Sequence, residues 1–412
     1  MKYEPTRSLG LEPLFSMKHY WQKSILAFGL AMQFSPLLIG QVRLSVEEAV
    51  NLALHKNPAI KASALAVRRN QQLLGAARNV PNPDLTFDSP TGVFYTIGIQ
   101  QSFRFPTVYG RQYQQQQQQI LLSQKEQVIT ANDLKYRTHT IYYAIQSAEA
   151  YQWQLLSQDS VYAQISQAAQ RNFDAGIIDK LALLYAQTQA AEVKNQVRVA
   201  GLQVASQKKQ LEILTGISLS TSLFTPLVKL TSPALDTSNI VQNPAVQVAQ
   251  QWENVTQKAV EVERANAMPS FMVGYYNQGT QEASLGFRWR AGISLPLWAG
   301  QYKSRINAAQ TEQQIARQNT EVQKQTVSSA LQQAQDDLIL STNSLTFYET
   351  VALGQADAII STARRFFENG QTDYTNFLRT TNDAYAIKLR YLEALQNYNQ
   401  AVLAIHYLTG NL

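Results

Sequence analysis

Between Thr107 and Arg171 the chain has no proline and one glycine, Gly110, and apolar residues return at intervals of seven: Leu134, Ile141, Ala148, Leu155, Tyr162, Ala169. A heptad period held over this distance is a coiled-coil seam, and it predicts one helix of roughly 60 residues, about 95 Å long at 1.5 Å per residue. A returning run follows, with Leu183, Ala190, Val197, Val204 and Leu211 in one series and Ala186, Val193, Ala200 and Leu214 in another. The C-terminal region repeats the double series as Phe377, Ala384, Tyr391, Tyr398 and Ile405 beside Ile387, Ala394, Ala401 and Leu408. Many of these positions are small, so neighbouring helices can approach closely, as a helical wall requires. The six glutamines Gln114 to Gln119 fall inside the first long helix and read as a solvated face.

Shorter elements precede each long helix. Ser45-x-x-Glu48 is a capping box, and Asn57-Pro58 restarts the helix with proline at its first position, until Asn79-Val80-Pro81-Asn82-Pro83 ends it. Asp84 to Ser89 and Val93 to Phe105, around Pro90-Thr91-Gly92, read as a β-hairpin rich in Thr, Phe, Tyr and Ile. Ser270 to Gln278 and Ala283 to Leu297 form a second hairpin around Gly279-Thr280-Gln281-Glu282. The leading strand of the first is shorter than the roughly 9 to 11 residues of a tilted membrane strand.

The two halves are copies. Asn57-Pro58-Ala59 returns as Asn243-Pro244-Ala245, 186 residues later, and four further matches share an offset of 194. These are Gly98-Ile99 with Gly292-Ile293, Arg111 with Arg305, Leu214-Thr215-Gly216 with Leu408-Thr409-Gly410, and a turn motif. That motif is Arg171-x-Phe173-x-x-Gly176-x-x-Asp179, repeated as Arg365-x-Phe367-x-x-Gly370-x-x-Asp373. Self-similarity at one offset marks a duplicated architecture. The pattern divides the chain into a leader over 1–40, a first repeat over 41–218 with hairpin 83–105 and turn 172–180, a linker over 219–236, and a second repeat over 237–412 with hairpin 270–297 and turn 366–374.

Two hairpins give four strands, too few to close a useful barrel, and open sheet edges are not tolerated in lipid. Three copies would supply twelve strands and a helical wall. The aromatics Phe87, Phe94, Tyr95, Phe103, Phe105, Phe271, Tyr275, Tyr276, Phe287, Trp289 and Trp298 suit a girdle at the membrane interface.

Composition narrows the alternatives. Charged residues are 16% of the chain, below the roughly 25% usual in soluble proteins, with uncharged polar residues in their place. The net charge of +6 raises nucleic acid as a partner, but Lys and Arg are scattered and no basic stripe interleaves with aromatics. The absence of cysteine excludes disulfides, thiolate metal sites and a lipidated N-terminal cysteine. Met17 to Lys23 is a short basic region and Ser24 to Gly40 an apolar one, read as a secretory signal with Met17 as initiator and cleavage near Gly40. A membrane anchor is the alternative, but the stretch is short and interrupted by Gln33 and Pro36. The histidines, His19, His55, His139 and His406, lie far apart, and no phosphate loop, nucleophile elbow or catalytic dyad is present, so neither a cofactor nor an enzyme activity is expected.

The duplicated layout, the start Leu44-Ser45-Val46-Glu47-Glu48-Ala49, the Asn57-Pro58-Ala59 step and the paired Phe-x-x-Gly-x-x-Asp turns together resemble the TolC family of outer-membrane efflux proteins, over about residues 43 to 412. The resemblance implies a mainly α fold with a small β-barrel: a homotrimer whose duplicated coiled-coil hairpins form an α-barrel in the periplasm and whose four strands per chain form a twelve-stranded barrel in outer-membrane lipid. It implies a passive exit duct that meets a periplasmic adaptor (membrane fusion) protein, and through it an inner-membrane efflux pump, at the turns carrying Arg171, Phe173, Gly176, Asp179, Arg365, Phe367, Gly370 and Asp373. Family members often narrow the entrance with an acidic ring; the matching positions here are Asn376 and Arg379, neutral and basic. Compact size and short hairpins look most like the heavy-metal branch, with drug efflux or type I secretion as alternatives. A periplasmic adaptor or scaffold is the rival of another class, but adaptors carry one helical hairpin between β-domains and this chain carries two.

Overall fold

In a computed structural model of the chain the described residues are 43–89, 96–218, 223–224, 226–232, 237–278 and 288–412. The expected leader over 1–40, the hairpin tips, and Phe94, Tyr95 and Phe287 lie outside them. One compact unit, Leu44–Ser220 with Phe224–Leu412, holds the elements named below.

The first half runs α1 (Val46–Lys56), α2 (Pro58–Ala76), β1 (Asp84–Asp88), β2 (Thr96–Phe103), α3 (Pro106–Asp174) and α4 (Lys180–Thr215). The second runs α5 (Pro244–Asn266), β3 (Ser270–Gln278), β4 (Trp289–Ser294), α6 (Ala299–Phe347), a π turn (Tyr348–Ala352), α7 (Leu353–Glu368) and α8 (Tyr374–Thr409). Helix α3 has 69 residues, longer than the expected run and about 100 Å. Both returning helices, α4 and α8, have 36.

Local chemistry explains these boundaries. The Ser45–Glu48 capping box forms, with both reciprocal bonds made. Asn57 and Asn243 cap α2 and α5 in the same way, each accepting from the amide two residues on, at 2.9 and 2.8 Å. Their side-chain amides then donate to the carbonyls of Leu214 and Leu408, so each cap also binds the start of a half to the end of its returning helix. Those helices close on Gly216 and Gly410 in the left-handed region, φ 66° and 72°, which glycine enters without penalty.

The four strands form one antiparallel sheet in the order β1-β2-β3-β4. Partners across the ladder share a face, so the register sorts the side chains into two sets. Leu85, Phe87, Ile97, Ile99, Val273, Tyr275, Trp289 and Ile293 lie on one face, and all but Tyr275 are at least 44% exposed. Asp84, Thr86, Thr96, Gln100, Tyr276 and Arg290 lie on the other. Tyr276 therefore leaves the expected girdle: it is buried on the polar face, its hydroxyl donating to Gln100 at 2.7 Å and the Arg290 guanidinium standing 4.2 Å from its ring centre. The ring lies over Gly98 and Gly274; a Cβ on Gly274 would meet Tyr276 Cε2 at 2.8 Å, and one on Gly98 would overlap Cδ1.

The seam positions predicted from heptads are buried or half-buried, and Tyr162 and Ala169 of α3 share one core with Leu183, Ala186 and Val193 of α4. The glutamine run is only partly solvated: Gln116 donates to the Asn70 carbonyl of α2, and Gln118 accepts from the buried Gln251 of α5. Part of the expected linker is a strap. Leu227 and Leu230 pack on the α6–α8 core, Asn399 holds residues 228 and 230 by two backbone bonds, and Lys229 pairs with Glu349 in the π turn at 2.9 Å.

Helices α3 and α8 lock near the C-terminal end of α8. Tyr407 stacks on Tyr136 with centroids 4.5 Å apart and donates to Asp133 at 2.7 Å. Burial, then that carboxylate, push its pKa up to about 12. Nearby, the Nδ1 atoms of His139 and His406 are buried without a hydrogen-bond partner among the described residues. Burial lowers both pKa values below the ordinary 6.5; Glu47 opposes this at His139, while Lys135 and His406 add to it. The unfolded chain then binds protons more readily than the folded one, so stability is complete above pH 6.5 and is lost as pH falls from there through the depressed values.

Two outcomes are expected. The midpoint of unfolding in detergent falls between pH 7.5 and 5.5, and the double variant His139→Gln, His406→Gln shows a smaller fall. Gly98→Ala costs about 1–3 kcal/mol by overpacking, and adding Tyr276→Ala recovers part of that loss, as denaturant titration would read.

Candidate functional site at the helical turns

The turns between α3 and α4 and between α7 and α8 are built from the same backbone bonds. Ala175 and Asn369 donate to the carbonyls of Arg171 and Arg365, Gly176 and Gly370 to Phe173 and Phe367, and Ile177 and Gln371 to Asn172 and Phe366, the last pair at 2.8 Å each. This is the helix-ending motif that needs a left-handed residue, and Gly176 and Gly370 supply it, both at φ 69°. Asp179 and Asp373 cap the returning helices, accepting from the amides of Ala182 and Asn376 at 2.8 Å. Each turn thus leaves few free backbone groups and can sit exposed at the end of two long helices.

The side chains named by the motif divide into two groups. Phe173 and Phe367 are half-buried in the core where the turns meet. Phe367 stacks on Phe377 at 4.5 Å and meets Tyr374 edge-on at 4.6 Å, while Lys180 Nζ stands 5.0 Å from the Phe173 ring centre. Arg171 and Arg365 are exposed in the last helical turns, and neither guanidinium makes a hydrogen bond or ion pair among the described residues. They are free to meet a partner. Asn376 is exposed, but its side chain donates to Asp373 at 2.7 Å, which makes it part of the cap; Arg379 is exposed one turn further along α8.

The motif missed the residues that join the two hairpins. Asn172 Nδ2 donates to the Tyr374 hydroxyl at 2.7 Å. Nearly three turns of helix higher, the fully buried Tyr162 reaches the Leu378 carbonyl at 3.3 Å and Thr381 at 3.4 Å, with the Tyr385 ring 6.3 Å away. Burial raises the pKa of Tyr162 and Tyr385, so both are uncharged at neutral pH. Tyr162 belongs to a heptad seam, but nothing in a linear pattern says that its hydroxyl crosses to the other repeat.

With this geometry in hand, the chain can be set beside known proteins. Residues 238–411, the second half, match the model of the outer membrane efflux protein family. The fold of the chain is that of solved outer-membrane channels. It superposes on CusC, a protein that forms a transmembrane channel, with TM-score 0.76 and 16% identity over 89% of this chain and 92% of that one. The outer-membrane channel OprN gives 0.76 and 17% over 89% and 90%. The Campylobacter jejuni outer membrane channel CmeC gives 0.73 and 15% over 89% and 85%. No curated protein matches the chain.

The Asn172–Tyr374 bond is open to a double-mutant cycle. Asn172→Ala, Tyr374→Phe and their combination are expected to show a coupling energy of about 0.5–1.5 kcal/mol in unfolding titrations, the ordinary net worth of such a bond.

Proposed function

We propose that three copies of this chain form the exit duct of a tripartite efflux system, with the four-stranded sheet in the outer membrane and the helical turns facing a periplasmic adaptor and an inner-membrane pump. One observation carries the reading: the exposed apolar face of the sheet lies between two strand edges, on β1 and β4, that have no strand partner among the described residues. Such edges cannot face lipid alone, and a neighbour on each side removes both. Three copies supply the twelve strands of a closed barrel with the apolar set outward and the polar set inward. None of the described helices is long and apolar enough to cross a membrane, so in this reading the strands make the crossing.

The helices, continuous with the strands at Pro106 and Ala299, carry the passage away from the membrane. Energy comes from the pump; the duct supplies a path. Arg171, Phe173, Gly176 and Asp179 with Arg365, Phe367, Gly370 and Asp373 form the docking ends, where the capped turns hold the free guanidinium groups of Arg171 and Arg365 toward the adaptor. Asn376 and Arg379, in place of carboxylates, give the entrance no acidic ring. We assign the cargo to heavy-metal cations, on the compact hairpins, with drug efflux as the second reading.

Detergent-extracted protein is expected to be a trimer with discrete conductance steps in planar bilayers; a soluble monomer would overturn the duct. Arg365→Glu is expected to lower export several-fold, read as increased sensitivity to the cargo, with trimer abundance and conductance unchanged. Cells lacking the protein distinguish the cargo classes by whether metal salts or drugs become toxic.

A further inference from the structure

Helices α3, α4 and α8 border a groove of about 580 Å3. Its lining is largely apolar, with Ala148 and Leu155 from α3, Val199 and Ala200 from α4 and Leu392 from α8. Two polar atoms, Ser147 Oγ and Gln207 Oε1, are buried in that lining with no hydrogen-bond partner among the described residues, and Ser147 as a whole is 4% exposed. The Tyr151 ring, 39% exposed, and the exposed Glu393 carboxylate complete the groove, and Glu393 makes no ion pair or hydrogen bond among the described residues. The duplication supplies a comparison. At an offset of 194, Ser147, Gln203 and Gln207 correspond to Ser341, Asn397 and Ala401, which line a second groove of about 510 Å3 between α6 and α8. There the hydroxyl is settled, since Ser341 donates to the Leu338 carbonyl of its own helix at 3.1 Å, and alanine stands in the place of Gln207. A hollow between neighbouring helices therefore comes with the fold, whereas buried polar atoms without partners belong to the first groove. Such atoms are costly unless something binds them.

We propose that this groove binds a flat organic cation carrying N–H donors. Donors on the ligand give Gln207 Oε1 and Ser147 Oγ the bonds that burial denies them. The apolar walls take the body of the ligand, Tyr151 offers its charge a ring face, and Glu393 supplies the opposite charge. The volume lies in the range of small-molecule sites, which pair an apolar lining with a few placed polar groups. A bare metal ion does not suit the groove: no group of three or more His, Asp or Glu side chains able to hold one occurs among the described residues. An organic anion would meet Glu393.

The groove opens on the side of α3 away from the strap. Pro226 and Leu227 share a separate hollow with Gln146, Ala150 and Trp153, which lie about half a turn round α3 from Ala144, Ala148 and Tyr151. A ring of helices has more room on its outer side, so in the proposed duct the strap-bearing face is the outer one and the groove lines the passage. The inference rests on the duct reading for this placement alone; the chemistry of the groove belongs to the single chain. A bound cation on each of three walls narrows the passage.

Proflavine, a flat cation with two aromatic amines, is a suitable probe, and its fluorescence anisotropy reads binding to the detergent-extracted protein. Saturable binding at one site per chain is expected. Gln207→Leu removes the acceptor and Val199→Trp fills the groove from a position that is 57% exposed; each should weaken binding several-fold, with unfolding midpoints close to that of the native protein. Glu393→Gln should weaken it about two- to fivefold in dilute salt and less in concentrated salt. Asn397→Trp, in the second groove, should leave binding unchanged, and fluorescein, an anion of similar shape, should not compete. In planar bilayers proflavine should lower the conductance of the native channel and not that of Val199→Trp. A conducting protein that binds no proflavine, binds it equally after Gln207→Leu and Val199→Trp, or binds fluorescein as well, overturns the cation site and leaves the duct standing. Binding that responds to those substitutions in a protein that never conducts overturns the duct and leaves the site.

Discussion

Among the described residues the outer edges of β1 and β4 have no strand partner, and the backbone groups along them constrain everything around them. A four-stranded sheet with an apolar exposed face satisfies its inner ladders and leaves a row of donors and acceptors on each side. In water such edges invite aggregation; in lipid they cost several kcal/mol per group. Closure with other copies removes both edges at once. In the proposed ring the elements following the strands must be long, regular and able to pack side by side, because each copy holds its place through its helices as well as its strands. The 69-residue α3 and its counterpart, interrupted only by a π turn, meet that requirement.

Duplication supplies the second half of the solution. The same capping asparagines, left-handed glycines and N-capping aspartates recur in both halves, so the backbone is laid out twice by one local code. Side chains then distinguish the copies. Tyr162, Asn172 and Tyr374 join the two hairpins by hydrogen bonds and aromatic contacts, whereas the equivalent positions of the other repeat, 356, 366 and 180, carry alanine, phenylalanine and lysine.

The π turn at Tyr348–Ala352 is placed where the strap from the region between the repeats crosses the helices. Lys229 meets Glu349 there, and Asn399 holds the strap's backbone on α8. A π turn widens the helix and shifts the face presented by the residues beyond it, so α7 need not continue the line of α6. Below the strap the two hairpins pack as a closed group around Tyr162 and Phe377; above it the glutamine run ties α3 to α2 and α5 through backbone carbonyls and amides.

Periodicity, caps and the repeat were legible in the linear sequence because each depends on residues within a turn or two of one another. Heptads located the seams, Ser45–Glu48 and Asn57–Pro58 located helix starts, and Gly176 with Asp179 located a reversal whose bonds are all local. The family resemblance followed from their order. What lies beyond reach of such signals depends on partners far apart in the chain. Tyr276 looked like another girdle aromatic until the register of β3 turned it to the polar face and laid it over Gly98. The glutamine run looked solvated until α2 and α5 came to cover part of it. Asn172 and Tyr374 are 202 positions apart, and only the packing of one hairpin on the other makes them a pair. Local hydrogen-bond geometry is encoded residue by residue, whereas the choice of which face is covered, and by what, is made by the three-dimensional arrangement of the elements.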